Sequence, residues 1–220
     1  MGSARRLLVT LAATALAAAM MSPAAANNSR GATTQTADVI GQLGDPAPDV
    51  FEDAATLRRT PNAIQVKVQM PTPEPGSYEY PDPEEHPTAA PPGHPEVFTL
   101  WSFVFNYPEN CVAGPHDCGS DDLALVMATA GEENPGGLAV FGAAGHPVGG
   151  PNLTLSGNIS TSHAPFAPIF APLTNPAGAE VHLAVAPHGG LDPDIMPDQA
   201  STPAGDLSLW WGAVFFSPYA

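Results

Sequence analysis

The feature that most constrains the fold is a series of short apolar segments separated by clusters of Gly, Pro and Asn. They cover residues 97–106, 138–144, 152–160, 179–186 and 207–216. The chain shows almost no 3.6-residue hydrophobic periodicity. Short strands at this spacing are typical of an antiparallel sandwich or barrel. We therefore predict an all-β fold, a single antiparallel β-sandwich that is jelly-roll-like and has one local disulfide.

Segment 97–106 gives the strongest strand pattern. Trp101, Phe103 and Phe105 would share one face with Val97, and the opposite face is apolar as well. A strand that is apolar on both faces indicates a central position in a packed sheet. Residues 123–129 are also apolar, and their pattern fits a strand or a short helix.

A hairpin is predicted from residues 56–60 and 63–70, with Pro61 and Asn62 at its turn. In the second arm, apolar residues alternate with Gln65, Lys67 and Gln69. A period of two gives one buried face and one face in contact with water.

The remaining sequence divides the chain into three parts. Residues 1–26 read as a signal peptide, with a basic start, an apolar run and a small-residue cleavage site. Residues 27–48 are polar and predict a disordered tether, and residues 49–220 form the β-sandwich domain. Segment 71–95 holds nine prolines and several acids. It is interpreted as a Pro-rich acidic insertion, the alternative being a linker between two domains.

The two cysteines, Cys111 and Cys118, are close in sequence. In an exported chain such a pair usually forms a disulfide. The rival interpretation is a metal site, for which only His116 is a nearby additional ligand.

Every Lys and Arg lies within the first 67 residues, and the chain carries 22 Asp or Glu and a formal net charge of −16. Such a surface repels nucleic acid and anionic membranes. The partners that remain are a neutral glycan, a cation or an envelope protein.

Two groups of residues are candidate cation ligands. Asp192, Asp194 and Asp198 lie in one Pro-rich loop, and clustered carboxylates suit calcium. Glu180 and His182 share a strand face about 7 Å apart, close enough to share a cation or a water. Calcium is favoured over copper or zinc. The alternatives are solvated loop acids and a polar outer face.

Trp210 and Trp211 are candidate stacking residues for a sugar. Because adjacent side chains in a strand point to opposite faces, one of the two is expected to face outward or into a second layer. No catalytic motif is recognised, and neither a catalytic residue nor a bound cofactor is predicted.

Several local patterns occur together. Residues 105–111 read Phe-Asn-Tyr-Pro-Glu-Asn-Cys, and Cys118-Gly119 and Asp122-Leu123 follow. Residues 175–183 read Asn-Pro-Ala-Gly-Ala-Glu-Val-His-Leu, with His188-Gly189 after them. Together they resemble a set of uncharacterised exported bacterial β-rich proteins. The resemblance implies an extracytoplasmic β-rich domain with one disulfide, and it implies no activity.

These observations predict a secreted, non-enzymatic β-domain with a binding or structural role at the cell envelope or outside the cell. Two alternatives stay open. One is a cation-binding module, and the other is a hydrolase acting on neutral polysaccharide.

Overall fold

The computed structural model describes residues 32–41, 48–78, 90, 93–162, 169–201 and 210–218. The predicted signal peptide lies outside these residues. The described chain forms eight strands and one α-helix, α1 (Ser120–Ala128). The strands are β1 (Thr33–Ile40), β2 (Val50–Arg59), β3 (Ala63–Pro71), β4 (Glu96–Phe105), β5 (Leu138–Val148), β6 (Asn152–Ser160), β7 (Glu180–Gly190) and β8 (Trp211–Phe215).

All eight strands belong to one antiparallel sheet with the order β5-β4-β7-β8-β1-β2-β3-β6. The all-β antiparallel class is confirmed, and so is the Cys111–Cys118 disulfide. The sheet is barrel-like, and it is continuous where a sandwich would have two separate sheets. Ile40 of β1 and Gly212 of β8 are the register partners that join its two four-stranded halves.

The ends of the strand order, β5 and β6, come together on the other side. Gly157 of β6 lies against β5, and a Cβ at this position would be 2.3 Å from the carbonyl oxygen of Ala143. A residue with a side chain would force the two strands apart, so glycine is needed here. The β5 edge also pairs with Ile169, which exchanges both backbone hydrogen bonds with Val140.

The interior follows the period of two in the strands. In β3 the side chains Ile64, Val66, Val68 and Met70 are all buried, as the alternation predicts. The predicted hairpin is confirmed, because β2 and β3 pair from Arg59↔Ile64 onward. Other inward residues include Leu57, Phe98, Leu100, Val104, Phe141, Leu153, Leu155, Val181, Val185, Trp211 and Phe215.

Strand β1 lies inside the segment predicted to be a disordered tether. It pairs with β2 in a register that runs from Thr33↔Arg59 to Ile40↔Val50. Its composition is polar because its outward face is not covered by other described residues, so few apolar positions are needed. Threonine and other β-branched residues nevertheless suit a pleated, half-buried strand.

The four strands β5-β4-β7-β8 carry a second apolar layer, and we call them the covered half. Trp101, Phe105 and Val140 point outward from the sheet and pack against Val126 of α1, the disulfide and Trp210. Strand β4 is therefore buried on both faces and lies between β5 and β7, as its sequence predicts.

The ambiguous segment 123–129 is largely helical and forms most of α1. Asp122 holds the start of this helix, because its Oδ2 accepts the N–H of Gly119 at 3.0 Å. Its Oδ1 accepts the N–H of Val112 at 2.9 Å. One buried carboxylate thus fixes the helix start to the disulfide loop.

Two asparagines connect loops at the end of β4. The buried Asn106 donates to the carbonyl of Gly137 at 2.7 Å and accepts the N–H of Thr174 at 2.7 Å. Asn175 donates back to the carbonyl of Asn106 at 2.9 Å. These bonds fix the loop that leads into β7, and hence the position of Glu180.

Arg59 closes one end of the barrel. Its guanidinium is buried and donates to the carbonyl of Ala179 at 2.6 Å, while its Nε donates to Gln35 at 2.8 Å. Weaker contacts reach the carbonyls of Phe215 and Phe216. The Arg59 side chain therefore connects β1, the start of β7 and the end of β8.

The opposite end is closed by the segment that follows β3. Tyr78 packs edge-on against Trp211, with ring centroids 5.1 Å apart. Ala90 donates its N–H to Oε1 of the buried Glu96 at 2.7 Å. The described parts of segment 71–95 thus pack against the barrel, whose strands β3 and β4 come directly before and after this segment in the sequence.

Candidate functional site

Glu180 and His182, a predicted pair, do meet on the outer face of β7. Oε1 of Glu180 lies 2.7 Å from Nε2 of His182. The ring of His182 also contacts Phe105 edge-on, at 5.1 Å between centroids. Glu180 is fully buried, and its Oε2 has no hydrogen-bond partner among the described residues.

The three loop aspartates follow β7. Asp192 accepts the N–H of Asp194 at 2.9 Å in a local turn, and its own N–H bonds to Gln199 at 3.1 Å. Asp198 begins a short 3₁₀-helix. In the part of the chain that the structure describes, no three His, Cys, Asp or Glu side chains are grouped as metal ligands.

The stacking role predicted for Trp210 and Trp211 requires an exposed ring, and neither ring is exposed. Both residues are 4% exposed. Trp210 belongs to the outer apolar layer, and Trp211 fills the barrel interior beside Tyr78. The two adjacent rings do point to opposite faces, but a second layer covers the outer one.

The outer side of β1-β2-β3-β6 carries no such apolar layer of described residues, and we call it the bare face. It holds an open depression of about 530 Å³. This volume falls in the range of small-ligand sites. The depression is lined by Thr34, Thr56, Arg58, Gln65, Val66, Lys67, Ser156, Gly157 and Asn158.

Strand register arranges the polar residues of the depression in rows. Thr34, Arg58, Gln65 and Asn158 are successive partners across the four strands. The next row contains Thr56, Lys67 and Ser156 as partners. Neighbouring strands are about 4.8 Å apart, so each row presents hydrogen-bonding groups at a regular spacing.

Arg58 and Lys67 make the depression cationic, and hydroxyl and amide groups line it together with the methyl and methylene carbons of the same side chains and of Val66. Arg58 donates to Oε1 of Gln65 at 3.2 Å, which leaves other guanidinium donors of Arg58 available. No Asp or Glu is among the described residues that line it. The arrangement can bind hydroxyl-rich or anionic groups by hydrogen bonds. It does not supply the paired carboxylates that glycoside hydrolysis needs.

The sequence patterns do not predict this depression. The polar alternation of β3 predicted a wet face with Gln65 and Lys67. The partners of that face in β1 and β6 depend on long-range register, which a single sequence does not reveal. Only Arg58 gives a local indication of the depression. Because side chains alternate between the two faces of a strand, Arg58 shares a face with Thr56 and lies opposite the buried Leu57.

Compared with known proteins, the chain matches no family model, no curated protein and no solved structure. Among its described helices, none has the length and apolar character required to cross a membrane.

Proposed function

We propose that this protein is a secreted, non-enzymatic β-domain that binds a glycan outside the cytoplasm through its bare face. The observation that carries the proposal is the depression of about 530 Å³ on that face. Its lining of hydroxyl and amide side chains contrasts with the apolar layer that covers the other half of the sheet.

Sugar rings present closely spaced hydroxyls that both donate and accept hydrogen bonds. Thr, Ser, Gln and Asn side chains do the same, and here they stand in register on adjacent strands. Since no carboxylate lines the described depression, the geometry favours binding without cleavage.

Two observations support an extracytoplasmic location. The Cys111–Cys118 disulfide is typical of oxidising compartments. The first 26 residues have the pattern of a cleaved export signal.

The proposal is tested by titrating the mature chain, residues 27–220, with a panel of polysaccharides by calorimetry. Ser156→Ala combined with Asn158→Ala removes two polar groups that line the depression. We expect about a tenfold loss of affinity, because each lost hydrogen bond costs about 0.5–1.5 kcal/mol.

The matched control is Asn152→Ala combined with Thr154→Ala. These residues are exposed on the same strand, and neither lines the depression. Their replacement is expected to leave binding unchanged. If the wild-type protein binds no polysaccharide of the panel, or if the two double variants behave alike, the proposed function is wrong.

A second candidate function, cation binding, is favoured by the Glu180–His182 pair. Oε2 of Glu180 has no hydrogen-bond partner among the described residues, and the imidazole of His182 lies beside the same carboxylate. The pair therefore offers a cation one oxygen ligand and one nitrogen ligand. Calcium, zinc or copper would be added singly after EDTA treatment, and thermal unfolding recorded. A cation at 100 times its dissociation constant adds about 2.7 kcal/mol of stability. The shift should disappear in Glu180→Gln, and a shift that persists there would exclude this pair as the site.

A further inference from the structure

The bare face holds every exposed fixed cation of the described chain. The sequence has six Lys and Arg. Arg5, Arg6 and Arg30 lie outside the described residues, and Arg59 is buried. The remaining two, Arg58 and Lys67, are exposed, and both line the depression.

These two cations are close neighbours. Arg58 of β2 is the register partner of Gln65 in β3, and Lys67 lies two residues further along β3 on the same face. Such diagonal positions on paired strands are about 7–8 Å apart. Two like charges at this distance repel each other, so a bound anion between them would be stabilised by both.

Acidic side chains do not neutralise this pair. The chain contains 22 Asp or Glu, yet neither Arg58 nor Lys67 forms an ion pair with a described residue. The charges of Arg58 and Lys67 therefore remain available to a ligand.

The rest of the depression indicates what kind of anion it suits. Hydroxyl and amide groups surround the two cations, and none of the exposed large apolar side chains of the described chain lines the depression. A protein partner would lack the apolar anchors on which protein interfaces depend. A hydroxyl-rich polymer that also carries carboxylates matches both features.

The net charge of the protein also restricts how densely charged the ligand can be. With a net charge of −16, the whole chain repels a densely charged polyanion. At physiological salt, charges are screened beyond about 8 Å, so a sparse carboxylate feels mainly the two cations next to it. Widely spaced carboxylates suit this surface better than dense sulfates.

We propose that the bare face binds an acidic polysaccharide, with a sugar carboxylate held between Arg58 and Lys67. This inference rests on the proposed glycan-binding function and specifies its substrate class. The guanidinium provides planar paired donors for a carboxylate, and the ammonium provides a mobile point charge.

The test compares hyaluronan oligosaccharides with their methyl esters, which have the same sugars without the charge. Calorimetry on the mature chain is expected to give about tenfold tighter binding of the carboxylate form, as two exposed ion pairs would. Arg58→Gln combined with Lys67→Gln should remove this preference, so that the variant binds the carboxylate and the ester with equal affinity.

A control with the same change of net charge separates local from long-range effects. Ser120→Asp combined with Ala124→Asp places two charges on exposed positions of α1, away from the bare face. This variant should keep the preference for the carboxylate. If it loses the preference as the cation variant does, net charge rather than the two cations is responsible, and the inference is wrong.

Other outcomes are also decisive. Binding of neither form overturns the proposed function itself. Equal binding of both forms leaves glycan binding intact and overturns the carboxylate assignment, as does tighter binding of dextran sulfate. Self-association that the double glutamine variant abolishes would assign the bare face to a second copy of the chain and overturn the inference.

Discussion

The two halves of the sheet have the same interior and opposite exteriors. Strand β4, in the covered half, is apolar on both sides. Strand β3 belongs to β1-β2-β3-β6, which we call the bare half because its outer side is the bare face, and it alternates buried apolar residues with exposed polar ones. The difference lies in the second layer, because α1, the disulfide and Trp210 pack only on the covered half among the described elements. The covering layer therefore adds buried contacts to one outer face, and the described elements leave the other uncovered.

Charged groups are distributed in the same unequal way. The strands of the covered half bury two carboxylates, Glu96 and Glu180, whereas β2 and β3 bury one cation, Arg59, and expose both Arg58 and Lys67 together with acids such as Glu52. Buried charges make stability depend on pH and on partners, whereas exposed ones act mainly on ligands. The two halves should respond differently to the same type of substitution.

The largest difference is expected from truncation of an outward side chain in each half. Phe105→Ala removes a buried ring from the outer layer and should cost about 3–5 kcal/mol of unfolding free energy. Gln69→Ala, at an exposed outward position of β3, should change it by less than about 0.5 kcal/mol. Urea unfolding measures both, and equal losses would contradict the division into a covered and a bare half.

The adjacent arginines of β2 provide a second comparison. Arg59→Met should cost about 3 kcal/mol, because the carbonyl of Ala179 and the amide of Gln35 lose a charged donor in a buried site. Arg58→Met, one residue earlier, should leave stability almost unchanged. If the two variants unfolded at the same urea concentration, Arg59 would not be what connects the halves.

Sequence patterns predicted the parts of this structure that depend on local periodicity. The alternation in β3, the doubly apolar β4 and the short loop between Cys111 and Cys118 each depend on neighbouring residues alone. Strand β1 was missed because its stability comes from pairing with β2, far along the chain, and its outward face is polar. Local composition cannot distinguish such a strand from a tether.

The candidate sites were likewise predictable only where they depend on residues close together in the sequence. The approach of Glu180 and His182 follows from a spacing of two residues on one strand, and the structure shows the pair in contact. The burial of Trp210 depends on a layer built from α1 and the disulfide loop, which the strand pattern does not include. The depression depends on the order β1-β2-β3-β6, in which the last strand is distant in sequence.

A third prediction concerns what holds the covering layer. Replacing both Cys111 and Cys118 by alanine should cost about 2.5 kcal/mol, since the bridge closes a loop of seven residues' separation. Reduction of the wild-type disulfide should lower the urea midpoint by a similar amount. A loss well below about 1 kcal/mol in both experiments would indicate that helix packing and Asp122 hold the layer without the bridge.

The smallest effect is a pH dependence that belongs to the covered half. Burial raises the pKa of Glu96 above its ordinary value of 4.5, and the hydrogen bond from Ala90 opposes this in part. At pH well below 4.5 the carboxyl is protonated in both the folded and the unfolded chain. As the pH rises toward the folded pKa, the unfolded chain loses this proton and the folded chain keeps it. Unfolding free energy should then fall, by at most about 1.4 kcal/mol per pH unit, until the folded group ionises too.

Glu96→Gln keeps an acceptor for Ala90 and removes this ionisation, so its stability should not show that fall. Urea midpoints measured from about pH 4 to pH 8 isolate the effect as the difference between variant and wild type. Glu52→Gln, at an exposed position of β2, removes one carboxylate from the bare half and reports the contribution of net charge alone. If the difference curve for Glu96→Gln were flat, or were matched by that of Glu52→Gln, the buried acid of the covered half would not control the response to pH.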